Sequence, residues 1–387
     1  MKIVIAVEEF DPDKGYLEYH LAEELTKLGH KVYVFTFGRG KREARPIVYG
    51  GFKIFRLPHF ASLNGYHMPS LSGVTHILRF LKAERPDIVH CQPIDSPLSL
   101  FFVSWSSFFK YKIVGPIMSQ LNIVFSPWNI TKKILFCISK IIVNKYAAKK
   151  SQVIFAKSRG LTKILCRSYN VPENKFHIIP LGTDPELFKF NPTARNAIRK
   201  DLGLSLSDVV IVYSGKIDPT KGLETLLNAL SPIIAANKKV KFLVIGTGKP
   251  SYVESVRKLA EDLEISNNVF FSSWVKRSLL SDYYSASDIA VWPGLSSISI
   301  VDAASVGLPL VIANVPVEVF AINNKNGFTF ELGNVNELRA KLKILTDSET
   351  LRREMGRKSR CLVENRLNWK FVTMKYLDAY RDALSPS

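Results

Sequence analysis

The chain has 387 residues, 47% of them hydrophobic and 22% charged, with a net charge of +19. Its length exceeds one ordinary core and suits two domains of about 150–200 residues each. Its composition excludes a disordered or fibrous chain. The four cysteines, Cys91, Cys137, Cys166 and Cys361, have neither zinc-ligand nor redox spacing, and the seven histidines form no HExxH pattern. The cysteines read as buried thiols in a reducing compartment, and no metal is expected.

The opening Met1–Val7 reads as a strand, with none of the basic and long apolar regions of a signal peptide. A membrane span needs about 18–20 apolar residues. The nearest candidate, 113–131, is broken by Pro116, Gln120, Asn122 and Pro127. The expected location is the cytoplasm.

Lys2–Val7 is a near-continuous apolar run, as a strand buried on both faces of a parallel sheet requires. A glycine-containing loop over 11–15 leads into a helix over 17–28, with Leu21, Leu25 and Leu28 at helical spacing and Gly29 as its stop. Strands follow at 31–37, 54–57, 87–91 and 112–115, with a helix at 74–83. Over 126–150 the chain turns long, basic and apolar, and helical spacing gathers Trp128, Phe136, Ile138, Ile142 and Tyr146 on one broad face. A strand at 153–156, a helix at 161–169 and the segment 177–180 close the first series. A second series has strands at 209–214, 241–245, 269–271, 289–292 and 310–312, and helices at 223–235, 253–263, 279–285 and 300–306. Two βαβα series predict two doubly wound parallel sheets.

The charge is uneven. No acidic residue lies between Asp95 and Glu173, a stretch that holds twelve basic ones. Such a one-sign block points to a partner of opposite sign, an anionic membrane or nucleic acid. The same stretch carries Phe101, Phe102, Trp105, Phe108, Phe109, Phe125, Trp128 and Phe136. Aromatics with lysines suit an interfacial helix on an anionic bilayer, the alternative being a core with a solvated basic face. The aromatics do not alternate with cations as single-strand binding would need, so no nucleic acid is expected.

Three glycine loops could offer free backbone N–H groups to phosphate: Asp13-Lys14-Gly15, Ser214-Gly215-Lys216 and Gly246-Thr247-Gly248. A P-loop is excluded, because Leu243 stands at its first glycine and Pro250 at its Ser/Thr, and the third glycine of a dinucleotide fingerprint is missing. The stronger pattern is Ser214-Gly215-Lys216-Ile217-Asp218-Pro219-Thr220-Lys221-Gly222-Leu223, where Lys216 and Lys221 flank a strand-to-helix loop. Fixed cations there stabilise the charge that a leaving diphosphate gains.

In order along the chain stand Gly15, Leu21-Ala-Glu-Glu-Leu-Thr-Lys-Leu-Gly-His30, Asp87-Ile-Val-His90, Ile179-Pro-Leu-Gly182-Thr-Asp184, the 214–223 loop, Leu279…Tyr284-Ser-Ala-Ser-Asp288, Asp302-Ala-Ala-Ser-Val-Gly307-Leu-Pro309, Trp369 and Tyr380. In this order and spacing the chain resembles the retaining family-four glycosyltransferases, glycosyl transferases group 1, which have the GT-B fold. The resemblance implies an α/β protein of two Rossmann-like domains with an interdomain cleft and a C-terminal helix crossing back to the first domain. The expected acceptor domain is 1–188 plus 367–387, and the expected nucleotide-sugar domain is 189–366. It further implies that Lys216 and Lys221 contact the donor diphosphate as the catalytic cations, with Gly15, Gly215 and Gly246 beside it. Asp302 would take the place of a ribose-binding glutamate, Ser299 would supply a substitute hydroxyl, and Val275 with Lys276 would meet the base. The donor would be of UDP or GDP type, with no cofactor. The acceptor would be lipid-linked or a saccharide, with 96–172 facing an anionic membrane at the inner face of the plasma membrane.

Two positions depart from the family. Gly294 replaces a glutamate that ordinarily contacts the transferred sugar, and Ser296, Ser297 and Ser299 are the nearest hydroxyls. Met118 stands where many relatives have a histidine, with His20 and His90 as alternatives. A retaining transfer in which the leaving phosphate deprotonates the acceptor needs no strong base. A non-catalytic GT-B binding protein and a sugar-nucleotide epimerase or hydrolase are the competing readings.

Overall fold

A computed structural model of the chain describes residues 1–12, 16–38, 46–63, 66–117, 141, 143–295, 297–315, 322 and 325–385. It divides into two compact units, Met1–Pro180 with Val372–Ser387, and Leu181–Phe371.

The first unit is built on β1 (Lys2–Val7), β2 (Lys31–Phe37), β3 (Ile47–Tyr49), β4 (Phe52–Leu57), β5 (His59–Leu63), β6 (Tyr66–Pro69), β7 (Ile88–Gln92), β8 (Lys112–Pro116), β9 (Ser151–Ala156) and β10 (Phe176–Ile178). Eight of these form one sheet in the order β10-β9-β8-β7-β1-β2-β4-β3, while β5 and β6 pair as a separate hairpin. Within the eight-stranded sheet every pairing is parallel except β3 with β4. In β1 all residues after Lys2 are buried, which is why the strand reads as an unbroken apolar run. Helices α1 (Leu17–Lys27), α2 (Leu71–Glu84), α3 (Pro97–Phe109) and α4 (Arg159–Tyr169) make the crossovers. The chain leaves β1 towards β2 on one side and returns to β7 on the other. The switch point, where open α/β sheets bind ligands at strand carboxyl ends, therefore lies between β1 and β7.

The second unit is a six-stranded, wholly parallel sheet. Its strands are β11 (Val209–Ser214), β12 (Val240–Ile245), β13 (Val269–Ser272), β14 (Ile289–Trp292), β15 (Leu310–Asn314) and β16 (Gly327–Glu331). Their order, β13-β12-β11-β14-β15-β16, puts the switch point between β11 and β14. Helices α5 (Pro192–Asp201), α6 (Leu223–Ala236), α7 (Pro250–Asp262), α8 (Arg277–Ser285), α9 (Ser299–Val306), α10 (Val335–Asp347), α11 (Glu349–Leu362) and α12 (Trp369–Leu384) complete the chain.

The boundaries move from the expected 188/189 and 366/367 to 180/181 and 371/372. Packing explains the shift. Phe188 is fully buried in the second unit's core, and its carbonyl accepts from Ser305 Oγ at 2.7 Å and Arg360 Nη1 at 2.8 Å. Thr183 bridges Asn368, and a side chain on Gly182 would strike the Trp369 ring, 2.7 Å from its nearest atom. Trp369 thus belongs to the second unit, while Val372 onward, including Tyr380, belongs to the first.

His90 is a packing residue. It is 1% exposed, with Nδ1 2.6 Å from the Tyr380 hydroxyl and Nε2 3.3 Å from Gln92 Oε1. Burial pushes its pKa down to about 4, so the ring is neutral at physiological pH, with Tyr380 donating to Nδ1 and Nε2–H donating to Gln92. Tyr380→Phe leaves Nδ1 unsatisfied. It is expected to cost about 1–3 kcal/mol, read as a lower urea midpoint at unchanged slope. An unmoved midpoint would show that the bond contributes nothing.

Candidate functional site

The loops that follow β11 and β14 flank the second unit's switch point, and they are locked to each other. Leu295 N–H donates to Thr220 O at 2.9 Å, and Lys221 Nζ donates to Leu295 O at 2.9 Å. Beneath them the Ser214 carbonyl accepts from Trp292 Nε1 and Ser299 Oγ, both at 3.0 Å. Ser214 Oγ lies 2.5 Å from the Tyr284 hydroxyl. The half-buried Lys221 and the exposed Lys216 both belong to the β11 loop, as expected. Lys216 lies 3.5 Å from Asp218 Oδ2. The Thr220 hydroxyl, its N–H and then Lys216 hold the Asp218 carboxyl below the usual range. Asp218 also caps the short turn that carries Lys221, accepting from Thr220 N–H at 3.1 Å and Thr220 Oγ1 at 2.7 Å.

The glycines act differently from the expectation that their N–H groups face phosphate. Gly215 N–H donates to Ile245 O at 2.9 Å, and Gly246 N–H donates to Ser272 O at 3.2 Å. Both have positive φ, +148° and +149°, and a Cβ on Gly246 would sit 1.8 Å from Gly215 O. Both amides continue the parallel pairing past the strand ends, and at Gly246 the approach is one that only glycine permits. Gly248 does the same against Ile217, whose carbonyl oxygen would lie 2.0 Å from its Cβ. Gly15, Met118 and Ser296 lie outside the described residues.

Ser299 is 6% exposed and its hydroxyl is committed to Ser214 O, with Ser297 Oγ 2.7 Å away. It ties α9 to β11 rather than presenting an open donor. Gly294 is the larger revision. A Cβ there would lie 2.4 Å from Thr220 O, 2.5 Å from Lys221 C and 2.7 Å from Lys221 Cα. The position is occupied by the backbone of the neighbouring loop, so it holds glycine because a side chain does not fit.

Asp302 is 2% exposed. Its Oδ1 accepts from Thr183 Oγ1 at 2.5 Å and from Arg277 Nη2 at 2.9 Å. Burial pushes its carboxyl up, against the pull of Arg277 and Thr183. Arg277 opens α8 two residues after Val275, and its guanidinium lies over the Phe188 ring, 5.3 Å from the centroid. Arg277 belongs to no motif, and Thr183 stands in the Ile179–Asp184 motif with no role of its own. Nothing in their spacing joins 277 or 183 to 302.

At the carboxyl edge of the first sheet, Glu18 in the first turn of α1 hydrogen-bonds to Gln92 and faces Lys157, and burial raises its carboxyl pKa. Glu8 accepts from His67 N–H at 3.0 Å and from Leu98 N–H at 3.3 Å, closing the start of α3. No motif marked either carboxylate.

Two family profiles match in succession, Glycosyltransferase Family 4 over residues 18–187 and Glycosyl transferases group 1 over residues 194–361. The chain belongs to these glycosyltransferases. The glycosyltransferase is 28% identical over 185 residues to a D-inositol 3-phosphate glycosyltransferase of Xylanimonas cellulosilytica, covering 46% of this chain and 44% of the relative. It is 27% identical over 208 residues to a GDP-mannose-dependent monoacylated alpha-(1-6)-phosphatidylinositol monomannoside mannosyltransferase of Corynebacterium glutamicum, covering 51% and 54%. It thus aligns with about half the length of these two relatives. The Anabaena HepE structure in complex with UDP superposes with a TM-score of 0.76 at 16% identity, over 98% of this chain and 99% of that one. That likeness is one of fold, and the fold is GT-B.

Proposed function

We propose that the glycosyltransferase moves a sugar from a UDP- or GDP-sugar to a lipid-linked or saccharide acceptor with retention at the anomeric carbon. The observation that carries this is the pair Lys216 and Lys221 on the loop that follows the central strand β11, at the switch point of the second sheet. In this reading the bond from the anomeric carbon to the diphosphate oxygen breaks, and its electron pair leaves with the diphosphate. Lys216 and Lys221 stabilise that charge. The acceptor oxygen bonds to the anomeric carbon on the same face, and its proton passes to the departing phosphate oxygen. Asp302 anchors Arg277, and the ribose hydroxyls meet that pair rather than a bare carboxylate. The base lies against Val275 and Lys276.

A lipid-linked acceptor draws support from the Corynebacterium relative, whose name records a phosphatidylinositol monomannoside. No helix among the described residues is long and apolar enough to cross a membrane. The acid-free stretch 96–172 favours peripheral attachment to an anionic surface on the cytoplasmic side.

A thermal-shift panel with UDP, GDP, ADP and their sugar conjugates tests the donor site. A ligand at about 100 times its Kd stabilises by about 2.7 kcal/mol. One diphosphate should stabilise the wild type, and Lys221→Ala should lose that response. If no nucleotide stabilises the wild type at high concentration, the transfer reading gives way to a non-catalytic binding role.

A further inference from the structure

We propose that the groove between the carboxyl-terminal ends of α2 and α3 is the surface that docks the glycosyltransferase on an anionic membrane. This rests on the peripheral reading above and gives it a site. Helix α3 carries two apolar stripes. One, with Leu98, Phe102 and Val103, is buried. The other runs Phe101, Trp105, Phe108 and Phe109, ring against ring, with centroids 5.0 Å apart for Phe108–Phe109 and 5.8 Å for Trp105–Phe108. A surface helix ordinarily turns polar residues outward. Here Phe108 is 73% exposed.

Trp105, Phe108 and Phe109 of the second stripe floor a groove of about 720 Å³. Its rim is Arg79, Lys82, Arg85 and Lys110, all exposed, and among the described residues no carboxylate lines it. Among the described residues none of these four cations is in an ion pair. Arg85 and Lys110 occupy left-handed helix-end positions, φ +47° and +61°, where glycine is usual. Both positions carry a cation instead. Outside the groove's lining, Lys150 brings a further cation to α3, donating to Ser107 Oγ at 2.5 Å. The groove sits where α2 and α3 run into β7 and β8, at strand amino ends. Glu18 and Gln92 lie at the opposite, carboxyl edge. Docking through the groove leaves that edge uncovered. An apolar aromatic floor inside a ring of exposed cations matches the acyl and headgroup layers of an anionic leaflet.

The test is flotation of the full chain with phosphatidylcholine vesicles and with equimolar phosphatidylcholine–phosphatidylglycerol vesicles, at low and high salt. The protein should float with the anionic vesicles alone, less as salt rises. Each rim cation is worth roughly a five-fold change in partitioning, so Lys82→Ala/Arg85→Ala should lose on the order of twenty- to thirty-fold. Phe108→Ser should also lose binding, while both variants keep the wild-type melting temperature and diphosphate response. Flotation undiminished in the variants overturns the groove but keeps the peripheral reading. No flotation with either vesicle overturns both. A solution dimer that dissociates in Phe108→Ser, with no vesicle binding, reassigns the groove to a second copy of the chain.

Discussion

Arg277→Met is expected to destabilise the second unit by about 3–5 kcal/mol, the cost of leaving a buried carboxylate without its charge partner. Asp302 is 2% exposed, and Arg277 at 2.9 Å is its cationic neighbour. For a unit of this size the melting temperature should fall by on the order of 10 °C. The loss should depend on pH with a definite sign. Burial already raises the Asp302 pKa, and removing Arg277, which lowers it, raises it further. A carboxyl whose folded pKa lies above its unfolded value loses stability as pH rises through the folded value. The deficit of Arg277→Met should therefore be largest at neutral pH and shrink as the solution is acidified. Asp302→Asn in the same chain removes the stranded charge, keeps an acceptor for Thr183, and should recover most of the loss, a coupling that a double-mutant cycle reads directly. Calorimetry of the four proteins decides it. If Arg277→Met melts within a degree of wild type at neutral pH, Asp302 does not depend on the pair.

Restoring the family's glutamate at position 294 should harm the protein rather than improve it. The Cβ alone would lie 2.4 Å from Thr220 O and 2.5 Å from Lys221 C, both backbone atoms. Relief requires the β11 and β14 loops to part. Parting breaks the bonds of Leu295 N–H to Thr220 O and of Lys221 Nζ to Leu295 O. It also disturbs Gly222, whose own Cβ would meet Pro293 O at 2.8 Å. Overpacking of this kind costs about 1–3 kcal/mol. Because it displaces Lys221, the diphosphate affinity proposed for that lysine should drop by on the order of tenfold, the equivalent of about 1.4 kcal/mol. Gly294→Ala separates the causes, since it carries the Cβ without the carboxylate, and a comparable loss from alanine makes the defect steric. Gly294→Glu with unchanged melting and tighter donor binding would falsify this account. The transferred sugar would then be held by a side chain at 294.

The strands buried on both faces were the most legible part of the fold. β2, β11 and β14 have the same bounds by apolar pattern and in three dimensions, because nothing in a parallel sheet's interior dilutes the apolar run. Helix α3 was not read as a helix. Its second aromatic stripe hides the 3.6-residue alternation, leaving only Ser96, which caps it, and Pro97 as cues. β3 was missed because all three of its residues are exposed, so they carry no burial pattern. β16, α10 and α11 lie beyond the last strand that pattern reading reached. Of the site, the loop with Lys216 and Lys221 was visible as a local run of ten residues.

The amino-acid sequence by itself determined two doubly wound halves, the glycosyltransferase family and the cationic β11 loop, since these are written in local periodicity, in the order of short motifs along the chain and in one contiguous run. Only the tertiary structure decided that Asp302 is shared by Thr183 and Arg277, that the amides of Gly215 and Gly246 are spent on strand pairing, and that Gly294 is a contact between two loops. These are distances between segments far apart in the chain. Local sequence says which groups could meet, and packing of the sheet and its loops decides which ones do.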